Sequence, residues 1–462
     1  MNVIGAVSRP PDSAAWDELR ASVAGRVLVP GDPDYDDARS LADPRFRLVR
    51  PSAVVRCAGT DDVRAALAFA RRHRLTPRPR SGGHSYAGYS TGPGLVVDVS
   101  LMDAVEVEGE TARVAAGARS GAVARVLQDH GRLLPLGTCP GVGIAGLALG
   151  GGMGTVGRRY GLTLDHVRAA RIVLADGRVL DCTPDSHADL LWALRGAGAG
   201  NFGVVTRFTF RTRTAPTVHS FLLEWPWRHA AAVLEAWQGW APDLPDCMST
   251  QAALRVAQAR VTVTGAWLGG ADGSAAYLDQ FVGAVGHEPH RTARGSSTYP
   301  ESIDFLWEGL AVGSSGPPPR AFHRDDLLTR PLPSRAVADL LGRLGADRPA
   351  GQERYCVLDL MGGAYGHDPD TAWSHRSCLF DVRYRAAVPA GADLADALAA
   401  RAWADSFARA LAPWACGQSY QNHISAARPD WARAYYGDHL DRLRHVKAAY
   451  DPDRLFRYPQ GI

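Results

Sequence analysis

Two glycine-rich stretches each present one nucleophile. RSGGHS, from Arg80 to Ser85, places His84 among small residues, and GTCPGVGIAGLALGGGMG, from Gly137 to Gly154, places Cys139. A buried core has no use for an imidazole or a thiol set among glycines, whereas a bare backbone accepts close contact with a bulky partner. The pattern implies a large, flat object pressed against both stretches, and a flavin ring has that shape. Both side chains are then read as tethers to that one cofactor.

The second stretch also spells Gly141-Val-Gly143-Ile-Ala-Gly146, with Asp165 about 20 residues on, as a dinucleotide fingerprint would. That reading is rejected. A nucleotide-binding turn opens a helix of several turns, and here only Ile144 to Leu149 can be helical before the Gly150-Gly151-Gly152 run; Pro135 and Pro140 precede it instead of a clear strand. No GK[ST] follows, so a Walker loop is excluded as well.

At 462 residues the chain exceeds one compact core, and two or three lobes are expected. Apolar residues at 46% and charged residues at 21% suit a globular protein, and no apolar run approaches the roughly 20 residues that span a bilayer. No membrane association is expected. The start MNVIGAVSRPPDSAAWDELR lacks a basic segment followed by an apolar block, so no secretory signal is read. Seven scattered cysteines argue against a disulfide framework, and a cytoplasmic location is the default. The net charge is only +3, Lys447 is the only lysine, and no basic run alternates with aromatics, which argues against nucleic acid. No metal is expected.

The elements that must position the two stretches follow in order. Thr60 is a candidate N-cap for a helix over DDVRAALAFARRHRL, with Val63, Leu67 and Ala70 at helical spacing. TPRPR leads into the His84 loop, and LVVDVS reads as a buried strand. Arg113 to Ala116 is a strand and GAVARVLQDHG a helix ended by Gly131. RIVLADGRVLDC is two strands joined at Asp176-Gly177. HADLLWALRGAGAGNFGVVTRFTF runs from a helix through a third glycine loop into a strand ending near Arg211. From Pro216 the pattern changes to HSFLLEWPW, a helix AAAVLEAWQGW, the alternating segment RVAQARVTVTGAWLGG and a helix SAAYLDQFVGAV. Beyond a proline-rich loop at Pro317 to Pro319 come SRAVADLLGRLG, ERYCVLDLMGGA, SCLFDVRYRA and a helix from Asp393 to about Leu411. Mixed strands and helices without regular alternation suit an antiparallel sheet backed by helices. Trp225, Trp227, Trp237 and Trp240 are read as packing residues. On CLFDVRY, Asp381 and Arg383 share a face by the two-residue period, and an ordinary ion pair between them is the plain reading. The tail closes with a helix from Asp438 to Tyr450 that returns to the first lobe.

With RSGGHSYAG, GTCPGVGIAGLALGGGMG, DLLWALRGAGAGNFGVVT and YDPDRLFRYPQ all in view, the sequence resembles the berberine bridge enzyme-like flavoprotein oxidases. These are a branch of the FAD-linked oxidases with the vanillyl-alcohol oxidase fold. The likeness runs from about Pro51 to the end. It implies an α+β fold: a PCMH-type FAD-binding lobe of two α/β subdomains over 48–213, a substrate lobe with an antiparallel sheet backed by helices over 214–415, and a segment over 416–462 returning to the FAD lobe. It implies FAD bonded through His84 at the 8α position and Cys139 at C6. The thiolate that such attachment needs is favoured by free backbone N–H groups in the Cys139 loop. Arg80, Ser81, Gly82, Gly83, Ser85, Gly137, Thr138, Val142, Gly143, Gly146, Asn201, Gly203, Val205, Tyr458 and Gln460 are the further residues implied around the cofactor.

The resemblance further implies hydride transfer to the flavin while a base removes a proton from the substrate. A small residue three after the tethering cysteine, here Val142, suits reoxidation by O2 with release of hydrogen peroxide. Relatives often carry Tyr-x-Asn-Tyr in the tail with the second tyrosine as base; this chain has Tyr420-Gln-Asn-His423. Histidine, with an ordinary pKa near 6.5, needs less adjustment than a phenol near 10. His423, Tyr420 and Asp381 all stand as candidates for the base, and Asp381 could instead orient His423; the resemblance implies that Asp381 and Arg383 look onto the flavin, which makes Arg383 a catalytic candidate as well. Met153 stands where relatives are often aromatic. The expected activity is oxidation of an alcohol, hemiacetal or other hydroxylated centre of a small, natural-product-like molecule. Oxidative ring closure is the alternative reaction, and drug sequestration on the same fold is the alternative class.

Overall fold

The computed structural model describes residues 11–310, 318–367 and 369–462; the first residues of the N-terminal segment and Pro317 of the proline-rich loop lie outside them. Two small sheets make the first lobe. In one, the strands Ala53–Arg56, Leu95–Asp98 and Pro77–Arg80 run parallel, and Arg26–Leu28 adds an antiparallel edge, so this lobe draws on residues well upstream of 48. The strand Pro77–Arg80 corrects the reading of TPRPR as a mere lead-in. Its two prolines are tolerated because it is an edge strand, where missing N–H donors break no ladder. It delivers the chain straight into the His84 loop. The other sheet is antiparallel, in the order Val105–Glu108, Thr111–Ala115, Val204–Arg211, Val167–Val173 and Val179–Cys182, with Gly177 at a φ of +87° in the turn expected at Asp176-Gly177.

Helix Thr60–Arg72 forms as its apolar spacing requires, but Gly59, not Thr60, holds the N-cap position. The carboxylate of Asp62 is turned away from capping its own helix and accepts the N–H groups of Ala24, Gly25 and Ala58 at 2.8–2.9 Å, tying the N-terminal segment down.

The second lobe is one seven-stranded antiparallel sheet, in the order Arg291–Ser297, Val218–Pro226, Arg260–Trp267, Met248–Arg255, Glu353–Leu360, Phe380–Val388 and Arg320–Leu328. RVAQARVTVTGAWLGG is not one segment. It breaks between Arg255 and Arg260 into a hairpin whose turn contains no Gly, Asn or Asp, Ala259 taking the positive φ of 50° instead, so the usual turn signal is missing. Arg291–Ser297 and Arg320–Leu328 were also hidden, the first because it is an exposed edge without alternation and the second because it buries Asp325 and Asp326. The helices Ala230–Trp240, Ala275–Val285, Ser334–Gly345 and Leu394–Leu411 cover one face, where Trp225, Trp237 and Trp240 pack in a single apolar core. The opposite face looks toward the first lobe. No helix among the described residues is long and apolar enough to cross a membrane.

The tail helix begins at Leu440, behind a short 3₁₀ turn over Gly437–His439. It packs its Leu443 and Val446, with Phe456 and Ile462, into the core of the first lobe. The only lysine holds this junction: Lys447, fully buried, donates to Asp451 Oδ2 at 2.6 Å, to the Phe456 carbonyl at 2.6 Å and to the Asn201 carbonyl. Replacing one partner of a buried pair leaves the other charge uncompensated. Lys447→Met is therefore expected to lower stability by about 3–5 kcal/mol, read as a fall in the denaturant midpoint; a change below about 1 kcal/mol would refute this role.

Candidate active site

A cavity of about 710 Å³ lies between the lobes, within the range of small-molecule sites. Its first wall is made by the two glycine-rich stretches, and they pack on each other directly. A Cβ added to Gly82 would sit 2.2 Å from the Gly143 nitrogen, so neither position admits a side chain. Arg119 locks the pair, donating to the carbonyls of Gly82 at 2.7 Å and Gly141 at 2.9 Å, while the Ser120 hydroxyl holds the Cys139 carbonyl at 2.8 Å. His84 and Cys139 are thereby brought to one place: a Cβ on Gly141 would lie 3.3 Å from His84 Nε2. Arg119 carried no signal in the sequence, because its role depends on two carbonyls from distant loops.

Burial, and then the charge of Arg119, lowers the pKa of His84 and keeps its imidazole neutral. At Cys139 the N–H groups of Gly141 and Val142 do favour the thiolate, but burial outweighs them, and the pKa lies above its ordinary value. The expectation of a lowered thiol pKa is corrected accordingly.

Ser81, Gly83, Ser85, Gly137, Thr138, Val142, Gly146, Gly203, Val205 and Tyr458 line the same cavity. Two of the expected residues do not. The Asn201 carboxamide is used between the Ala197 carbonyl at 2.8 Å and the Ile462 N–H at 3.0 Å, and Gln460 reaches the Ser425 carbonyl at 2.9 Å. Both hold the C-terminus in place. Arg80 lines the cavity while pairing with Asp98 at 2.9 Å, its Nη1 remaining buried without a hydrogen-bond partner.

The glycines need a second correction. Most of them answer to protein, not to an outside object: a Cβ on Gly150 would meet Asn422 Oδ1 at 2.0 Å, one on Gly151 the Tyr420 hydroxyl at 2.4 Å, and one on Gly152 Thr163 Oγ1 at 2.0 Å. Gly146 differs, since nothing lies within 4 Å of its added Cβ and it faces the cavity.

The opposite wall is the inner face of the large sheet with the tail laid across it. Asp381 is fully buried, and its Oδ2 lies 3.4 Å from Nδ1 of His423, too poorly aligned for a hydrogen bond. Neither Asp381 oxygen has another hydrogen-bond partner among the described residues. Asp325, unnoticed in the sequence, completes a cluster whose polar atoms lie within 4.8 Å of one another. Burial pushes Asp325 up to about 7, against hydrogen bonds from the Tyr420 N–H and the Ser419 hydroxyl. Burial, and then Asp325, raises Asp381 well above its ordinary range, while burial and Arg383 hold His423 well below its own. Burial thus favours the protonated form of the two carboxyl groups and the neutral form of the imidazole. Arg383 is not chiefly a partner of Asp381: it is bonded to Asp359 at 2.7 Å and stands 3.7 Å from Asp381.

The Tyr420 hydroxyl accepts from the Gly152 N–H at 2.6 Å and the Asn422 amide at 2.9 Å, and burial raises its pKa to about 12. Tyr86, also missed, stacks on His323 with centroids 4.1 Å apart and faces the His423 ring at 5.9 Å.

Comparison with known proteins agrees with this geometry. Residues 51–183 match the family model described as FAD binding domain, and residues 419–462 the one described as Berberine and berberine like. An uncharacterized FAD-linked oxidoreductase, YgaK of Bacillus subtilis, is 30% identical over 96% of this chain and 98% of its own. A chitooligosaccharide oxidase of Gibberella zeae is 31% identical over 89% of this chain and 87% of its own. Among solved structures, wild-type BBE-like 1 of Physcomitrella patens superposes with a TM-score of 0.88 at 26% identity, covering 96% of this chain and 98% of that one.

The cavity fits FAD by its own features: an Arg80 Nη1 and Ser90 and Thr155 hydroxyls that have no hydrogen-bond partner among the described residues, and the open backbone at Gly146. Two substitutions separate protein packing from cofactor contact. Gly143→Ala forces its Cβ into Ser81 Oγ at 2.2 Å and is expected to cut both thermal stability and flavin content. In Gly146→Ala the added Cβ has no described atom outside its own helix within 4 Å, so the change is expected to spare folding while lowering bound flavin several-fold, read from absorbance per unit protein; full flavin in Gly146→Ala would place the cofactor elsewhere.

Proposed function

The chain belongs to the berberine bridge enzyme-like FAD-linked oxidoreductases, and on that premise we propose that it is a bicovalent FAD oxidase. Its substrate is an alcohol, hemiacetal or similar hydroxylated centre of a small molecule, and O2 is the electron acceptor. FAD supplies a two-electron hydride acceptor that dioxygen can reoxidise. His84 and Cys139 are the tethering residues, the first offering a neutral nucleophilic imidazole and the second a thiol assisted by two loop N–H groups. Val142, small and on the cavity wall beside Cys139, supports the choice of O2. The Gibberella zeae relative, a chitooligosaccharide oxidase, supports a hydroxylated sugar-like substrate.

The observation that carries the reading is the contact of Asp381 with His423 on the same cavity as the two nucleophiles. Catalytic hydrogen bonds tighten in the substrate complex; once the 3.4 Å contact is aligned, an Asp381 that holds a proton donates to Nδ1 and leaves Nε2 as a donor, which cannot accept from substrate. When Asp381 is ionised, it holds the Nδ1–H tautomer, frees Nε2 as the acceptor and offsets the charge that the imidazole then gains. Arg383, 3.7 Å away, favours that ionised form. Tyr420 is the poorer candidate, because its oxygen already accepts two hydrogen bonds and its raised pKa, about 12, keeps the hydroxyl protonated at neutral pH.

The sign of the pH dependence follows. Carboxyl groups with raised pKa keep their proton to higher pH, so the competent base appears only as the Asp325–Asp381 pair loses it. The expected kcat/KM is low in acid and rises through an apparent pKa near or above about 7. Asp381→Asn should lose that rise and about 100-fold or more in kcat, and His423→Ala about 100- to 10,000-fold. Wild-type rates in either variant would remove the assignment. For the tethers, denatured wild-type protein should carry the added mass of FAD on peptides containing both His84 and Cys139. Each single alanine variant should keep one bond, and the double variant should release FAD on denaturation; flavin retained by the double variant would refute both.

A further inference from the structure

The inner face of the large sheet is ordered by charge. Across four neighbouring strands, Arg255, Tyr355, Arg385 and His323 stand in one cross-strand row. Two residues along come Ala253, Val357, Arg383 and Asp325, and two further Gln251, Asp359 and Asp381. Residues two apart share a face, so all three rows look the same way, and the cavity touches members of each. The acidic row lies at the reacting end beside His423. The basic row lies four residues away, about 13 Å along the strands.

Most charges on this wall are answered within the protein. Arg383 has Asp359 at 2.7 Å, and Arg45, whose charge also acts on His323, has Asp43 at 2.7 Å. Arg385 is answered less closely. Among the described residues its Nε is buried without a hydrogen-bond partner, and the carboxylate paired with it, Glu353, lies 4.0 Å away on a side chain about a third exposed. Such a pair contributes little. The guanidinium carbon lies 4.5 Å from the centroid of the Tyr355 ring, which holds the group at the cavity wall. Beside it, His323 is kept neutral by burial and by the charge of Arg385, so it adds no counter-charge and only the distant Glu353 offsets the positive potential.

We propose that the substrate carries a carboxylate at the end remote from its oxidised centre, and that Arg385 binds it. The inference rests on the reading of this cavity as the substrate site. A planar fork of N–H donors matches a carboxylate in two parallel hydrogen bonds, which a lysine ammonium cannot reproduce. The spacing of the rows corresponds to a molecule about two sugar rings long.

The test uses the flavin-loaded enzyme and three probes: cellobiose, and the two acids made from it by placing a carboxylate or a phosphate on the primary carbon of its non-reducing ring. Calorimetry should show the carboxylate binding about tenfold or more tightly than cellobiose at low salt. That ratio should shrink as ionic strength rises, fall toward one in R385Q, and recover in part in R385K. A purely structural role for Arg385 would weaken all three probes alike and leave the ratio standing. Equal affinities, a ratio that survives R385Q, stronger binding of the phosphate than of the carboxylate, or no binding by any probe would each overturn the proposal. Oxygen uptake separates this from the oxidase reading. Turnover of cellobiose with no charge preference keeps the oxidase and removes the carboxylate site, whereas tight binding of the acid without oxygen uptake does the reverse.

Discussion

Everything in the site depends on the close approach of side chains from the second lobe and tail to bare backbone in the first. Tyr299 brackets Leu136, its hydroxyl accepting the N–H at 2.8 Å and donating to the carbonyl at 3.1 Å. Tyr365 does the same at Gly154, and Tyr420 accepts the N–H of Gly152. Three hydroxyls thus pin the Leu136–Gly154 stretch, and Asn422 reaches the Leu147 carbonyl beside them. Each contact needs a missing Cβ or an open backbone group. The stretch that carries Cys139 is therefore also the hinge surface on which the two lobes are registered.

That registration brings unlike chemistry together. The first lobe contributes an imidazole and a thiol held by Arg119 and Ser120; the sheet contributes Asp381 and Asp325; the tail lays His423 over them. Arg158 strengthens the seam, its buried guanidinium donating to the carbonyls of Leu244, Met248 and Met361 in the second lobe. Burial at the seam favours the neutral forms of His84, Cys139, Asp325, Asp381 and His423. The positions of Arg383 and Arg385 along the sheet set a polarity from a proton-handling end to a cationic end.

Glycine stretches, strand periods and helix spacing were legible because local sterics dictate them. The His84 loop, the Cys139 loop, the Asp176-Gly177 turn and the core tryptophans all follow from residue type and spacing. What stayed hidden was any role set by a distant partner. Asp325 and Asp326 look like surface charges in a strand until the fold buries them beside Arg428 and Ser419. Asn201 and Gln460 hold the C-terminus through side-chain hydrogen bonds that no local pattern announces. Pro77 and Pro79 argue against a strand until the sheet puts them at its edge.

The sequence alone determined the two nucleophile-bearing loops, the antiparallel second lobe and the substitution of histidine at position 423, since each is written in contiguous residues. Only the tertiary structure decided that most of the glycines admit Asn422, Tyr420, Thr163 and neighbouring backbone, that Arg383 answers Asp359, and that Asp381 meets His423. The reason is physical: backbone conformation is fixed by a residue and its neighbours, whereas burial, charge state and hydrogen-bond partnership are properties of groups brought together from far along the chain.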